Sequence, residues 1–188
     1  MGTKLFTQLT DVPSAYTSQG YKGLRVNSGE TALEFATLFA PHFENRFARV
    51  TGTVTSTSTS FADVTGMTFS VDANTDYIFE FDVIFQSSAA GTGIAFAVNG
   101  PASPTSIVGA TWITPNSRTA LTNGNFVVYD SGTPTSASTV NTDSYALVRG
   151  VFRNGANAGT FALRFASETG TAVTVRTGST GRIYRTIA

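Results

Sequence analysis

The chain has 188 residues, no cysteine and a formal net charge of zero; charged residues make up only 13% and aromatics 12%, with Phe alone at fifteen. So many Phe exclude a disordered chain, and so few charges exclude a long helical bundle, which needs more Glu and Lys. Without cysteine there is no disulfide scaffold, zinc finger or thiol nucleophile, and the even charge balance argues against a dedicated nucleic-acid binder.

The first residues, Met1-Gly2-Thr3-Lys4-Leu5-Phe6, lack the apolar stretch of a secretory signal, and no window is long and apolar enough to cross a bilayer. Residues 1–45 form a polar strip punctuated by Val12-Pro13 and Gly20, with sparse apolar groups such as Leu24, Val26, Leu33 and Phe35. Between Glu30 and Ala40, Ala32, Phe35, Ala36 and Phe39 would share one helical face, with Pro41 as the stop; Leu33 and Phe35 suit a short strand equally well. A strip this poor in apolar groups builds no core of its own. It is expected to be an extended arm, lying against the rest of the chain or against a partner.

From residue 46 onward the dominant period is two. In Tyr77–Phe85 the residues Tyr77, Phe79, Phe81, Val83 and Phe85 share one face while Glu80 and Asp82 take the other. Ile94, Phe96 and Val98 alternate with small residues, as do Phe161, Leu163 and Phe165. Further strands are expected over 46–55, 67–71, 106–113, 125–129, 144–153, 171–177 and 182–187. Asn99-Gly100-Pro101 and Asn154-Gly155 mark turns, because Gly and Asn accept positive φ and Pro cannot donate to a ladder. Thr55–Ser60 and Ser131–Asn141 read as Ser/Thr-rich loops. The fold class that follows is an all-β sandwich or barrel over 46–188, with residues 1–45 as an anchoring segment.

Charge is unevenly placed. Residues 51–148 carry one basic residue, Arg118, against seven acids: Asp63, Asp72, Asp76, Glu80, Asp82, Asp130 and Asp143. Residues 149–188 carry six arginines against Glu168 alone. Two readings are open: neutralisation across neighbouring strands, or complementary charge across a subunit contact.

Catalytic chemistry is poorly supplied. The single histidine, His42, follows Pro41, and no G-x-S-x-G elbow occurs; Gly178-Ser179-Thr180-Gly181 has its serine misplaced. Glu80 and Asp82 could be paired acids, but same-strand neighbours usually form a solvated or salt-bridged face. Asp72-Ala73-Asn74-Thr75-Asp76 starts like a calcium loop and then fails, with Tyr77 where glycine and Val83 where glutamate are needed. Trp112, the only tryptophan, reads as a core or interface residue, with a sugar platform as the alternative; Tyr129 and Tyr145 are the other candidates for such a platform. No catalytic, cofactor or metal residues are assigned, so the expectation is a non-enzymatic scaffold or binding protein with no cofactor.

Two groups of residues carry a family resemblance. Leu9-Thr10-Asp11-Val12-Pro13-Ser14-Ala15-Tyr16, Gly23–Asn27 and Leu33-Glu34-Phe35 resemble a short module of tailed-bacteriophage fibre and virion surface proteins. Ala73–Phe81, Thr92–Pro101, Gly159–Glu168 and Val173–Ser179 look like the β domain of phage virion proteins. The resemblance implies a jelly-roll-like antiparallel β sandwich with an N-terminal extended arm, commonly trimeric and displayed on the particle. It implies a partner in the major capsid protein or another virion protein, with neither nucleic acid nor membrane. A chain of this length, opening directly on the module and lacking a heptad or glycine-repeat shaft, is expected to be a capsid decoration (cement) protein. It would be made in the host cytoplasm and located on the capsid surface of the virion. Leu9, Val12, Pro13, Tyr16, Leu24, Val26, Leu33 and Phe35 are the candidate anchoring residues. The alternatives are a tail-fibre or receptor-binding protein contacting a host glycan, and a carbohydrate-binding module.

Overall fold

The computed structural model describes residues 23–26, 29, 31–36, 45–114, 121–132 and 139–186. The chain divides into two units, residues 1–42 and 43–188. In the first, β1 (Gly23–Val26) and β2 (Leu33–Ala36) form an antiparallel hairpin that pairs Leu24 with Phe35 and Val26 with Leu33. The open question over residues 30–40 is thereby answered as strand for 33–36.

The second unit is an antiparallel β sandwich. Its larger sheet runs in the order β3 (Asn45–Arg49), β13 (Thr180–Thr186), β6 (Asp76–Ser87), β10 (Ser144–Arg153), β8 (Ser106–Thr114) and β9 (Thr122–Phe126). The short strands β4 (Val54–Ser56) and β12 (Val173–Val175) extend it beside the far end of β6. The smaller sheet is β5 (Ala62–Val71), β11 (Gly159–Ser167) and β7 (Ile94–Asn99). Because the chain passes repeatedly from one sheet to the other, the order is that of a jelly roll. Among the described residues there is no helix.

The core lies between the sheets and is built from the alternating faces. β6 sends Tyr77, Phe79, Phe81, Val83 and Phe85 inward, all buried, against Phe161, Leu163 and Phe165 of β11 and Phe96 of β7. Phe161 sits at the centre, with ring centroids 4.8 Å from Phe152, 4.9 Å from Phe79 and 6.4 Å from Phe81. Such aromatic pairs add roughly 0.5–1.5 kcal/mol each beyond area burial. Mid-strand glycines make room for these rings. A Cβ on Gly150 would stand 2.7 Å from Phe79 Cζ, and one on Gly181 would stand 2.6 Å from Phe81 Cδ1.

Some elements differ from the sequence expectation. β5 starts five residues before the expected 67, because Gly66, at φ +88°, forms a bulge that breaks the period of two. The expected strand 46–55 is interrupted between Val50 and Thr53, and Thr55 and Ser56, expected in a loop, belong to β4. β9 covers 122–126 rather than 125–129: Thr122-Asn123-Gly124-Asn125 looks like a turn, yet it pairs with β8 from Ile113 to Ala110. The run Val127-Val128 continues beyond the strand and is exposed.

Asp72–Asp76 is the turn its composition suggests. Asn74, at φ 53°, donates its N–H to Gly155 O at 2.7 Å. Asn154, buried in the neighbouring turn, donates its side-chain amide to Asp72 O and Asn157 O at 2.7 and 2.8 Å.

Candidate interaction face

The outward residues of the larger sheet fall into cross-strand rows fixed by register. One row reads Tyr184–Ile78–Val151–Val108, from β13 across β6 and β10 to β8. The next is Arg182–Glu80–Arg149–Ala110, and the third is Thr180–Asp82–Leu147–Trp112, ending on Asn123 of β9. Tyr145 follows, opposite Ile84. An apolar row and an aromatic-aliphatic row therefore flank a charged one.

The apolar groups on this face are open to solvent: Val108 is 57% exposed, Val151 45%, and Ile78 and Trp112 37% each. At the Val108 end the row runs into a concavity of about 500 Å³, walled by Pro104, Ile107, Val127, Val128 and Tyr129 among others. Val127 and Val128 are exposed as well. A contiguous apolar surface of this kind on a β domain marks an interaction site, whereas scattered exposed residues would not.

The charges on the face are engaged within the chain. Glu80 meets Arg182 and, at 3.7 Å, Arg149; Asp82 lies 3.3 Å from Arg182 and accepts a 2.5 Å hydrogen bond from the Tyr145 hydroxyl. Partial burial, reinforced by that hydrogen bond and by the negative charge of Asp82 and Glu80, pushes the Tyr145 phenol up to about 12, against the opposing pull of Arg182. The Glu80 hydrogen bond likewise pushes the Arg182 guanidinium up. As a pair, Glu80 and Asp82 form a structural ion cluster, each held by arginine.

The same holds for the whole charge asymmetry. Arg153 pairs with Asp76 at 3.1 Å, Arg176 with Asp143 at 3.4 Å and Arg185 with Asp72 at 3.2 Å. Arg164 bridges Asp63 at 2.9 Å and Asp130 at 2.6 Å. All six arginines after residue 148 thus meet acids from residues 51–148, and all seven of those acids are used. Of the two readings of the charge pattern, neutralisation between neighbouring strands is the one the structure bears out. Exposed pairs contribute only about 0–1 kcal/mol each, so their main effect is to leave the surface neutral.

Trp112 is not a core residue, contrary to one half of its sequence reading: it points outward from β8, beside Leu147 and Asn123 in the register. Tyr129 does not serve as an open platform. Its ring lies 6.3 Å from that of Phe152, and its hydroxyl is buried without a hydrogen-bond partner, which pushes its pKa upward. Tyr145 is exposed at its ring and tied at its hydroxyl. Ser179, in the motif set aside as a nucleophile elbow, is fully buried and structural. Its hydroxyl accepts from Ile84 N–H at 3.0 Å and donates to Arg176 O at 2.8 Å.

Of the candidate anchoring residues, Leu9, Val12, Pro13 and Tyr16 lie outside the described residues, as do His42 and Arg118. In the hairpin Val26 is exposed and Leu33 and Phe35 are half-buried; Leu24 is placed by its pairing with Phe35. Among the described residues no group of three or more His, Asp or Glu is placed to hold a metal ion, and no helix is long and apolar enough to cross a membrane. Sequence reasoning missed Ile78, Val108 and Val151. The signal was present, since alternation puts Ile78 on the Glu80 side of β6, the side expected to be polar.

No family model matches the sequence, and no curated protein matches it. Solved structures do show likeness. The CBM22-1–GH10 modules of Clostridium thermocellum endo-1,4-β-D-xylanase 10B, complexed with xylohexaose, align over 78% of this chain and 26% of theirs, at 12% identity and a TM-score of 0.35. The infectious bursal disease virus Gt strain structure aligns over 81% of this chain and 43% of its own, at 10% identity and a TM-score of 0.24. The D431N mutant VP2 protein of the same virus, in T=1 particles, aligns over 81% and 41%, at 12% identity and a TM-score of 0.25. The chain thus spans less than half the length of these proteins. Overlaps this loose are compatible with a structural or binding β sandwich and carry no information on what the present chain binds.

Proposed function

We propose that the protein is a structural virion protein of a bacteriophage, a capsid decoration protein that binds the shell non-covalently and acts without catalysis or cofactor. In this reading the N-terminal segment grips the shell, the sandwich projects as a homotrimer, and the protein, made in the host cytoplasm, ends on the capsid surface. The observation that carries it is the outer face of the larger sheet, apolar in its rows and neutralised in its charges. Such a face suits assembly, where burial of apolar area drives association and unpaired charge opposes it. The resemblance of residues 9–35 to a module of phage virion surface proteins supplies the expected partner class.

The test is co-sedimentation with capsid shells. The full chain is expected to pellet with shells, while residues 43–188 remain in the supernatant. Pelleting of residues 43–188 to the same extent overturns the assignment of the grip. Labelled antibody bound only at the tail of intact virions overturns the capsid location in favour of a fibre. One observation favours a carbohydrate-binding reading instead: Trp112 is outward and borders Asn123. Glycan-array binding that disappears in Trp112→Ala is its signature.

A further inference from the structure

We infer that residues 129–132 form a strap over the outer edge of β7 that opens and closes as a unit of its own, with the Asp130 carboxylate as its latch. The inference does not depend on the proposed function. It rests on a cover that the fold requires, a polar lock concentrated at one residue, and built-in costs that oppose closure.

β7 lies at the end of the smaller sheet, where it pairs with β11. A strand in that position presents backbone groups to any further strand that approaches, so folds cover such edges. Every residue from Ile94 to Val98 is buried, including Ala95 and Ala97 on the outward side. The strap contributes to that cover. Asp130 N–H donates to Val98 O at 3.1 Å. Gly132 lies against Phe96 O and the Phe61 ring, where a Cβ would stand 2.9 Å from Phe61 Cζ.

The lock is at Asp130. Its Oδ2 accepts from the Asn99 side-chain amide at 2.6 Å and from Arg164 Nη1 at 2.6 Å. Arg164 also donates to Phe61 O at 2.5 Å and meets Asp63 at 2.9 Å, so one guanidinium ties the strap to the start of β5. Hydrogen bonds between ionised, partly buried groups are the strong kind, and three of the contacts that hold the strap converge on this single residue.

Other features of the closed strap work against it. The Tyr129 hydroxyl rests on Gly100, where a Cβ would stand 2.6 Å from it, and is buried without a hydrogen-bond partner. Opening returns that hydroxyl to water. Asp130 sits at φ 52°, in the left-handed region that a residue with a side chain enters at a cost. Val127 and Val128, which lead into the strap, are exposed and bury little apolar area. Segments held by a few polar contacts open below the global unfolding limit, and here the balance turns on one carboxylate.

The test is amide hydrogen exchange of the full chain, read residue by residue by nuclear magnetic resonance and expressed as protection factors. The residue-130 amide reports the strap, and the amides of β10, a strand paired on both sides, report global unfolding. In wild type, residue 130 is expected to be less protected than β10. Asp130→Asn keeps tolerance of positive φ but removes the charge; it is expected to lower protection at residue 130 by on the order of tenfold and to leave β10 unchanged. Tyr129→Phe removes the unpaired hydroxyl and is expected to act in the opposite direction, raising protection at residue 130. Should Asp130→Asn fail to fold, Asn99→Ala removes one of the two side-chain donors to the latch and is expected to lower protection at residue 130 by a smaller factor. Equal protection at residue 130 and β10 in wild type overturns the inference, because the strap then opens only with the whole sandwich. So does an Asp130→Asn variant that loses protection equally at both places or at neither. A fall in protection at residue 130 in Tyr129→Phe overturns the opposition between hydroxyl and latch, and with it the strap as a balanced device.

Discussion

Residue by residue, the face is held by contacts that also set its response to pH. The Tyr145 phenol donates to Asp82 at 2.5 Å and is pushed up to about 12, above the ordinary tyrosine value near 10. The folded state thus holds this proton more tightly than the unfolded chain does. Its contribution to stability is complete below pH 10 and is lost between pH 10 and about 12, as the folded phenol ionises beside the carboxylate. Tyr145→Phe has no such proton to lose. Wild type is therefore expected to melt above the variant at neutral pH, and the gap is expected to close as pH rises from 10 to 12. Thermal melts at constant ionic strength measure this; a gap that stays constant across the window contradicts the assignment.

Among the elements, the longest strands were the most legible. β10 matches its expected range, and all five inward residues expected in β6 are buried, because uninterrupted alternation is the direct imprint of a sheet with one face in the core. Where the imprint is locally overridden the sequence misleads. The bulge at Gly66 hides the first half of β5, and Asn and Gly in β9 resemble a turn because nothing local reveals the ladder supplied by β8. The interaction face was half legible: Glu80 and Asp82 were placed outward, but their partners Arg149 and Arg182 come from strands distant in sequence, and only topology shows the match. Ser179 illustrates the same limit. As β12 gives way to β13, the edge of β6 at Ile84 is served by a side chain: Ser179 accepts from Ile84 N–H at 3.0 Å, while Arg176 N–H donates to Ile84 O at 2.8 Å. Ser179→Ala leaves the Ile84 N–H unpaired in a buried site, an expected cost of about 1–3 kcal/mol. Urea denaturation should show a lower midpoint with an unchanged slope, and Ser179→Thr, which keeps the hydroxyl, tests whether that group is the cause. A midpoint equal to wild type in the alanine variant means the hydroxyl is dispensable.

At the level of the molecule, the described hydrophobic core belongs to the unit of residues 43–188. Among the described residues every member of the buried hydrophobic cluster lies at Val50 or beyond, and β3, the strand that starts the sandwich, begins at Asn45. A chain beginning at residue 43 keeps that strand with its ladder to β13, running from Thr180↔Arg49 to Tyr184↔Asn45, and keeps the Phe161-centred stack intact. It is therefore expected to unfold in one cooperative transition within about 4 °C of the full chain, the shift that ~1 kcal/mol produces in a protein of this size. The two must be compared at equal protomer concentration, because any assembly through the outer face makes the melting temperature depend on it. The near-ultraviolet signal of Trp112, Tyr77, Tyr129, Tyr145 and Tyr184, all of which the shorter chain keeps, should be retained. A truncated chain that keeps far-ultraviolet strand signal but loses near-ultraviolet structure would show that the first 42 residues complete the core. In that case the N-terminal segment could not act as a separate grip, and shell binding would have to be sought on the sandwich itself.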